Sequence, residues 1–377
     1  MPPSRESDTG VLFAGGGTGG HLLPSVAIAR ELAETDPSLR VAFAISNRPS
    51  DRTILDQSLG STIERAEILP IGAQPPSLRP GTLARFLASW GPSVRASRSL
   101  LRAMPRRTVV VSLGGYVAPP VAQSARVERR PIVVINIDAV PGKANRWIKR
   151  RAARALSVYD AADPSWQRIT PIVRREIVEA DPSTCRARLG LEPEKKTLLI
   201  TGGSQGARTI NDFMLAFLET SVGALDGWQV IHQTGAGRPD VESAYDQAGV
   251  PALCRPYFAE MGTCWGASDL ALSRAGAGAV AESWATRTPA LFMPYPYHRD
   301  EHQRLNALPL EESGAAIVAQ DHIEARANLE SVGTTLGRLL RDGRELAALR
   351  RGASSLPRAT GATDVAREIS ALLDRTE

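Results

Sequence analysis

The segment GGGTGGHLLP, residues 15–24, follows the short apolar run 10–14. Glycines crowd the turn between an expected strand and an expected helix. Without side chains, such a turn lets backbone amides approach a phosphate closely. His21 closes the turn. Imidazole has an ordinary pKa of about 6.5, so it is the side chain best suited to accept a proton near neutrality. A helix N-terminus beside it favours the neutral form. His21 is therefore a candidate base; the alternative is that it hydrogen-bonds the loop or a phosphate. Thr18, Gly19 and Gly20 are placed to line a diphosphate, and Tyr116 in GGYVAPP sits at the next strand end.

A second constellation is SRAGAGAVAES, residues 273–283. The small residues Gly276, Ala277 and Gly278 leave amide N–H groups accessible where a helix begins, a place that stabilises negative charge. Glu282 follows one to two turns on, and a carboxylate can accept both hydrogen bonds of a ribose diol. The chain contains no Asp-x-Asp pair, so a metal-held diphosphate lacks its usual acidic ligands. The expectation is a site with neither metal nor cofactor.

Two common nucleotide signatures fit poorly. Gly15, Gly17 and Gly20 match G-x-G-x-x-G, but Asn47 and Arg48 stand where a nicotinamide site places its ribose-binding acid. The second glycine turn, GGSQGARTIND, lacks both that spacing and the Lys-Ser/Thr of a phosphate-binding P-loop.

The elements that must position these groups alternate short apolar runs with helical patterns, which indicates parallel sheets with crossovers. Helical patterns are expected over 83–104 and 143–156, and residues 160–195 read as a connector. A strand–glycine turn–helix unit occurs at 10–34 and again at 197–219. The expected class is α/β, with two Rossmann-like doubly wound domains facing a cleft and ligands at the strand ends. The domains are expected at 1–163 and 164–356, with a C-terminal helix at about 357–377 able to return to the first.

The chain has 377 residues and 43% hydrophobic content, which suits two ordinary cores. Its three cysteines show no paired spacing, and its polar N-terminus does not read as a signal peptide, so a cytoplasmic setting is expected. Between Ile68 and Val127 there is no Asp or Glu, while Arg79, Arg85, Arg95, Arg98, Arg102, Arg106, Arg107 and Arg126 fall there. Leu83, Phe86, Leu87, Trp90 and Val94 form an apolar stripe ahead of several of these arginines, with a break at Gly91-Pro92. That combination reads either as an interfacial helix on an anionic membrane or as a core-facing stripe with a solvated basic face. Interleaved aromatics suited to single-stranded nucleic acid are missing, so nucleic acid is not an expected partner.

Four segments in order, GGGTGGHLLPSVAIARELA, SLGGYVAPP, GGSQGARTIN and SRAGAGAVAESWATRTPALFMPY with DEHQRLNALPLEESGAA, resemble the MurG family over roughly residues 10–316. The resemblance implies a GT-B fold and inverting transfer of N-acetylglucosamine from UDP-GlcNAc to lipid I, giving lipid II at the cytoplasmic membrane face. It also implies roles residue by residue. Glu282 matches the ribose-binding Glu and His21 the base candidate. Ser204, Gln205 and Arg174 match residues at the diphosphate, Phe258 and Met261 the segment around uracil, and Gln303 the reader of sugar hydroxyls. Asn306 matches a support for that loop.

The departures fall on the acceptor side. Where the family shows His-Glu-Gln-Asn, this chain reads Ile135-Asn136-Ile137-Asp138. Asp138 thus replaces a neutral amide and becomes an alternative base or an acceptor contact. GAQPPSLRPG replaces a Gly/Arg-rich loop. A different acceptor, a UDP-sugar epimerase and a non-catalytic UDP-sugar-binding relative are the competing expectations.

Overall fold

A computed structural model describes residues 8–16, 19–60, 63, 66–75, 79–160, 163–203, 206–297 and 300–375, without the side chain of residue 80. Thr18, Ser204 and Gln205 lie outside the described residues. The chain divides into two compact units, residues 1–174 with 360–377, and residues 175–359.

In the first unit the strands are β1 (Thr9–Ala14), β2 (Arg40–Ile45), β3 (Glu67–Pro70), β4 (Arg107–Ser112), β5 (Ile132–Asn136), β6 (Arg154–Ser157) and β7 (Gln167–Arg168). They form one parallel sheet in the order β3-β2-β1-β4-β5-β6-β7. Its central strands are continuous apolar runs because helices cover both faces; Val11, Leu12, Val109, Val110, Val111, Val133 and Val134 are fully buried. The helix Gly361–Asp374 packs on the helix Gly19–Thr35, and Arg107 at the start of β4 donates to Leu373 O.

The second unit repeats the plan with β8 (Lys196–Thr201), β9 (Trp228–Gln233), β10 (Ala252–Arg255), β11 (Leu270–Ser273), β12 (Ala290–Phe292) and β13 (Ala316–Val318). These are parallel in the order β10-β9-β8-β11-β12-β13. In both units the order reverses at the first strand, and the glycine turns follow β1 and β8. That is the switch point at which doubly wound sheets bind ligands.

Three expectations about the elements are corrected. The pattern over 143–156 is not one helix: Lys143–Lys149 is helical, and the chain then re-enters the sheet as β6. The stretch 160–195 is not a plain connector, since it holds β7 and the helices Arg175–Val178 and Pro182–Leu189. Gly91-Pro92 does not break its helix, which runs unbroken from Pro80 to Ala103 with Pro92 inside. Interior proline normally costs about 3 kcal/mol; here the C-terminal half is anchored by buried Ser97, Leu100 and Leu101, which offset that penalty. Among the described residues no helix is long and apolar enough to cross a membrane.

Candidate active site

In the first unit two glycine turns close around His21. His21 is the third residue of the helix Gly19–Thr35, which begins inside the glycine loop itself. Gly115 follows β4 with φ +77°, and a Cβ there would stand 2.7 Å from Gly16 O and 3.7 Å from His21 Nδ1. Only glycine allows the SLGGY turn to lie this close to both the first loop and the imidazole. Gly15 abuts the His21 side chain on another side, its Cβ position 3.5 Å from His21 Cβ.

Burial pushes His21 below its ordinary pKa, while the charges of Asp138 and Asp51 act in the opposite sense. The cause of the depression is thus chiefly desolvation rather than the helix end. The neutral, proton-accepting imidazole is the favoured form at pH 7.

Asp51 has no counterpart among the sequence expectations. It is buried at the start of the helix Pro49–Ser58, where Ser46 Oγ donates to its Oδ2 at 2.6 Å. A Cβ at Gly16 would lie 2.7 Å from that same oxygen. A lone acid in the polar stretch SNRPSD carries no spacing signal, so only the fold reveals it.

Tyr116 is partly exposed, with the Arg48 guanidinium 5.8 Å above its ring. Beyond β5, Asn136 is buried and its Nδ2 donates to Asp138 O at 2.6 Å and to Ser157 Oγ at 3.1 Å. Ile137 is buried as well, so of this altered segment Asp138 alone keeps a partly exposed side chain.

In the second unit the helix Ala277–Thr286 begins at Gly276 with no side-chain cap. Its first amides have no intrahelical partner. A Cβ at Gly276 or Gly278 would meet nothing within 4 Å, and neither glycine has a positive φ. Internal packing therefore does not require glycine at either place; close approach by a ligand would.

The turn just before that helix is braced from both sides. Asn306 Nδ2 donates to Ala275 O at 3.2 Å. Arg274, buried, pairs with Asp321 at 2.7 Å and donates to Met293 O at 2.8 Å and Thr209 Oγ1 at 2.6 Å. Sequence reading missed this strut because Arg274 and Asp321 are far apart in the chain.

Glu282 is partly exposed on the same helix. Gln303, in the first turn of the helix His302–Glu312, accepts a hydrogen bond from Tyr295 N. Phe258 is buried beneath the Arg255 guanidinium, 5.2 Å from its ring centre, and Met261 opens the helix Met261–Ala267. Arg174, partly exposed, is the last residue of the first unit before the chain enters the second.

Comparison with known proteins fits two such units. The glycosyltransferase family 28 N-terminal domain matches residues 11–157, and the family's C-terminal domain matches residues 197–360. The chain belongs to glycosyltransferase family 28. It is 35% identical over 96% of its length, and 94% of the relative's, to the UDP-N-acetylglucosamine–N-acetylmuramyl-(pentapeptide) pyrophosphoryl-undecaprenol N-acetylglucosamine transferase of Mycobacterium sp. (strain JLS). The protein of that name from Chlorobaculum tepidum is 32% identical, with 96% of this chain and 99% of the relative covered. Among solved structures, Acinetobacter baumannii MurG superposes with a TM-score of 0.71 at 23% identity, covering 96% of this chain and 99% of that one. The family 28 fold is the GT-B arrangement of two parallel-sheet α/β domains expected from the sequence.

Proposed function

We propose that this chain transfers N-acetylglucosamine from UDP-GlcNAc to the C4 hydroxyl of the MurNAc of undecaprenyl-diphospho-MurNAc-pentapeptide (lipid I), producing lipid II for peptidoglycan synthesis. The near-full-length identity to transferases of that name is the observation that carries the reading.

The chemistry assigns each unit a task. In the second unit, Phe258 and Met261 flank uracil, Glu282 accepts from the ribose diol and Gln303 meets the sugar. Ser204 and Gln205 serve the diphosphate together with the helix start at Gly276, Ala277 and Gly278, and Arg174, the last residue of the first unit, is a further contact for it. As the sugar C1–oxygen bond breaks, its electron pair leaves on UDP, and the uncapped helix end stabilises that charge. In the first unit, Thr18, Gly19, Gly20 and Tyr116 hold the acceptor. The acceptor oxygen attacks C1 from the face opposite UDP and gives its proton to neutral His21, so the anomeric configuration inverts. Asp138, whose charge acts on His21, is the alternative proton acceptor.

The acceptor is lipid-linked, and the helix Pro80–Ala103 is suited to an anionic membrane surface. Leu87 is 62% exposed and Leu83 38% exposed, with Phe86 and Trp90 in ring contact beside them. Docking there would place the protein peripherally on the cytoplasmic face.

Release of UDP from UDP-GlcNAc, measured with and without a lipid I analogue, tests the reading. Acceptor-dependent release with a disaccharide product supports it. UDP release that ignores the acceptor would point to an epimerase-like reaction instead. Transfer to another acceptor would fit the altered segment at Asp138 and overturn lipid I as substrate.

A further inference from the structure

The end of β9 ties together two loops that are distant in sequence. Gln233 is 1% exposed. Its Nε2 donates to Gly203 O at 2.7 Å, and its Oε1 accepts from Phe258 N at 2.9 Å. A backbone N–H can only donate and a carbonyl can only accept, so these partners fix the amide orientation. One buried side chain thus bridges the glycine turn after β8 to the segment containing Phe258.

Neighbouring contacts hold the same turn. Gly206 has φ +73°, and a Cβ there would fall 2.4 Å from Thr234 O. Asn211 Nδ2 donates to that Thr234 oxygen at 2.8 Å. Asn211 Oδ1 meets His232 Nε2 at 3.1 Å, and His232 Nδ1 meets Tyr245 Oη at 3.1 Å. The amide oxygen only accepts, so Nε2 carries the hydrogen and Nδ1 accepts from the tyrosine hydroxyl. Behind Gln233 stands a fully paired, buried network, which keeps the turn from relaxing away from β9.

We infer that Gln233 is a positioning residue that couples the base-binding segment at Phe258 to the phosphate-side turn at Gly203 and Gly206. Occupation of one by a uracil base favours the arrangement of the other that receives the diphosphate, and the coupling is reciprocal. The inference rests on the donor-site reading above. It goes beyond that reading by making nucleoside and diphosphate recognition cooperative through one uncharged side chain that touches neither.

Hydrogen exchange on the whole enzyme tests it, with uridine as a probe that has the base and no phosphate. Uridine should slow exchange in peptide 256–260 and also in peptide 201–208. Protection of 256–260 with 201–208 unchanged would overturn the coupling. Gln233→Met keeps the approximate volume and removes both hydrogen bonds. In that variant the effect of uridine on 201–208 should vanish, the UDP Kd should rise about tenfold, and donor KM should rise with kcat nearly constant. A folded variant with a lower Tm but unchanged UDP affinity would reduce Gln233 to a stabilising role and overturn the inference. Should Gln233→Met fail to fold, the uridine experiment on the unaltered enzyme decides alone. Failure of unaltered enzyme to bind either uridine or UDP would instead overturn the donor-site reading itself, and the inference with it.

Discussion

The side-chain carbonyl of Gln303 accepts a 2.8 Å hydrogen bond from the backbone N–H of Tyr295. That contact occupies Oε1, so a Gln303 that reads a ligand would do so chiefly as a donor through Nε2. A sugar read by Gln303 must therefore present an acceptor oxygen. Gln303→Glu preserves an oxygen for Tyr295 and removes the donors. It should weaken UDP-GlcNAc binding by roughly 1–2 kcal/mol, the scale of one hydrogen bond plus an unfavourable replacement, and leave UDP binding unchanged. Calorimetry with the two ligands checks this, and equal losses for both would assign Gln303 to the nucleotide.

Glu282 should behave in the opposite way, because the ribose is common to both ligands. Glu282→Ala should weaken UDP and UDP-GlcNAc alike by roughly 1.5–3 kcal/mol, as expected for charge-assisted hydrogen bonds. Unchanged UDP affinity in a folded variant would remove the assignment. If the departing diphosphate rests on the Gly276–Gly278 helix start, as proposed, transfer should also survive EDTA. Activity abolished by chelation and restored by a divalent cation would contradict that account.

Much of this arrangement is legible in the sequence for a physical reason. Buried parallel strands are continuous apolar runs, so β1, β4 and β8 announce themselves, and glycine turns mark where they end. Less visible is β6, whose RALS follows a basic helix and shares its spacing of small and charged residues. The two-residue β7 has no periodicity to detect. Long-range partnerships are invisible in the same way. Nothing local marks Arg274 for Asp321 or Gln233 for Phe258, because each pair is brought together by the fold across distant parts of the chain. Asp138 stands out only against the family pattern.

The arginine-rich helix is less free to attract anions than its sequence suggests. Arg98 and Arg102 both pair with Glu128, the acid just beyond the acid-free stretch, at 2.9 Å and 3.1 Å. Binding to anionic vesicles should therefore increase in Glu128→Gln, which releases both guanidinium groups, and should fall as salt rises. Leu87→Glu should reduce recovery with neutral and anionic vesicles alike, since it removes exposed apolar contact. Liposome flotation measures both. Equal recovery of the unaltered protein with neutral and anionic lipid at low salt would exclude electrostatic docking.

His21 and Asp138 give the reaction a distinctive pH signature. Burial lowers the His21 pKa, and the charges of Asp138 and Asp51 partly restore it. If His21 is the base, kcat/KM is flat at neutral and higher pH and falls as acid protonates the imidazole, with an inflection below the ordinary value of about 6.5. Asp138→Asn removes one of the charges that favour the imidazolium, so the inflection should move to still lower pH while plateau activity is retained. With lipid I that plateau should rise if anything, because a carboxylate no longer repels the acceptor diphosphate. His21→Ala should lose on the order of 10²–10⁴ in turnover. If Asp138 carries the proton instead, the pattern inverts: Asp138→Asn is inactive, and His21→Ala keeps most of its rate. Near-normal turnover in both variants on a confirmed acceptor would show that neither group is the base, and the closure of two glycine turns around His21 would then serve acceptor binding alone.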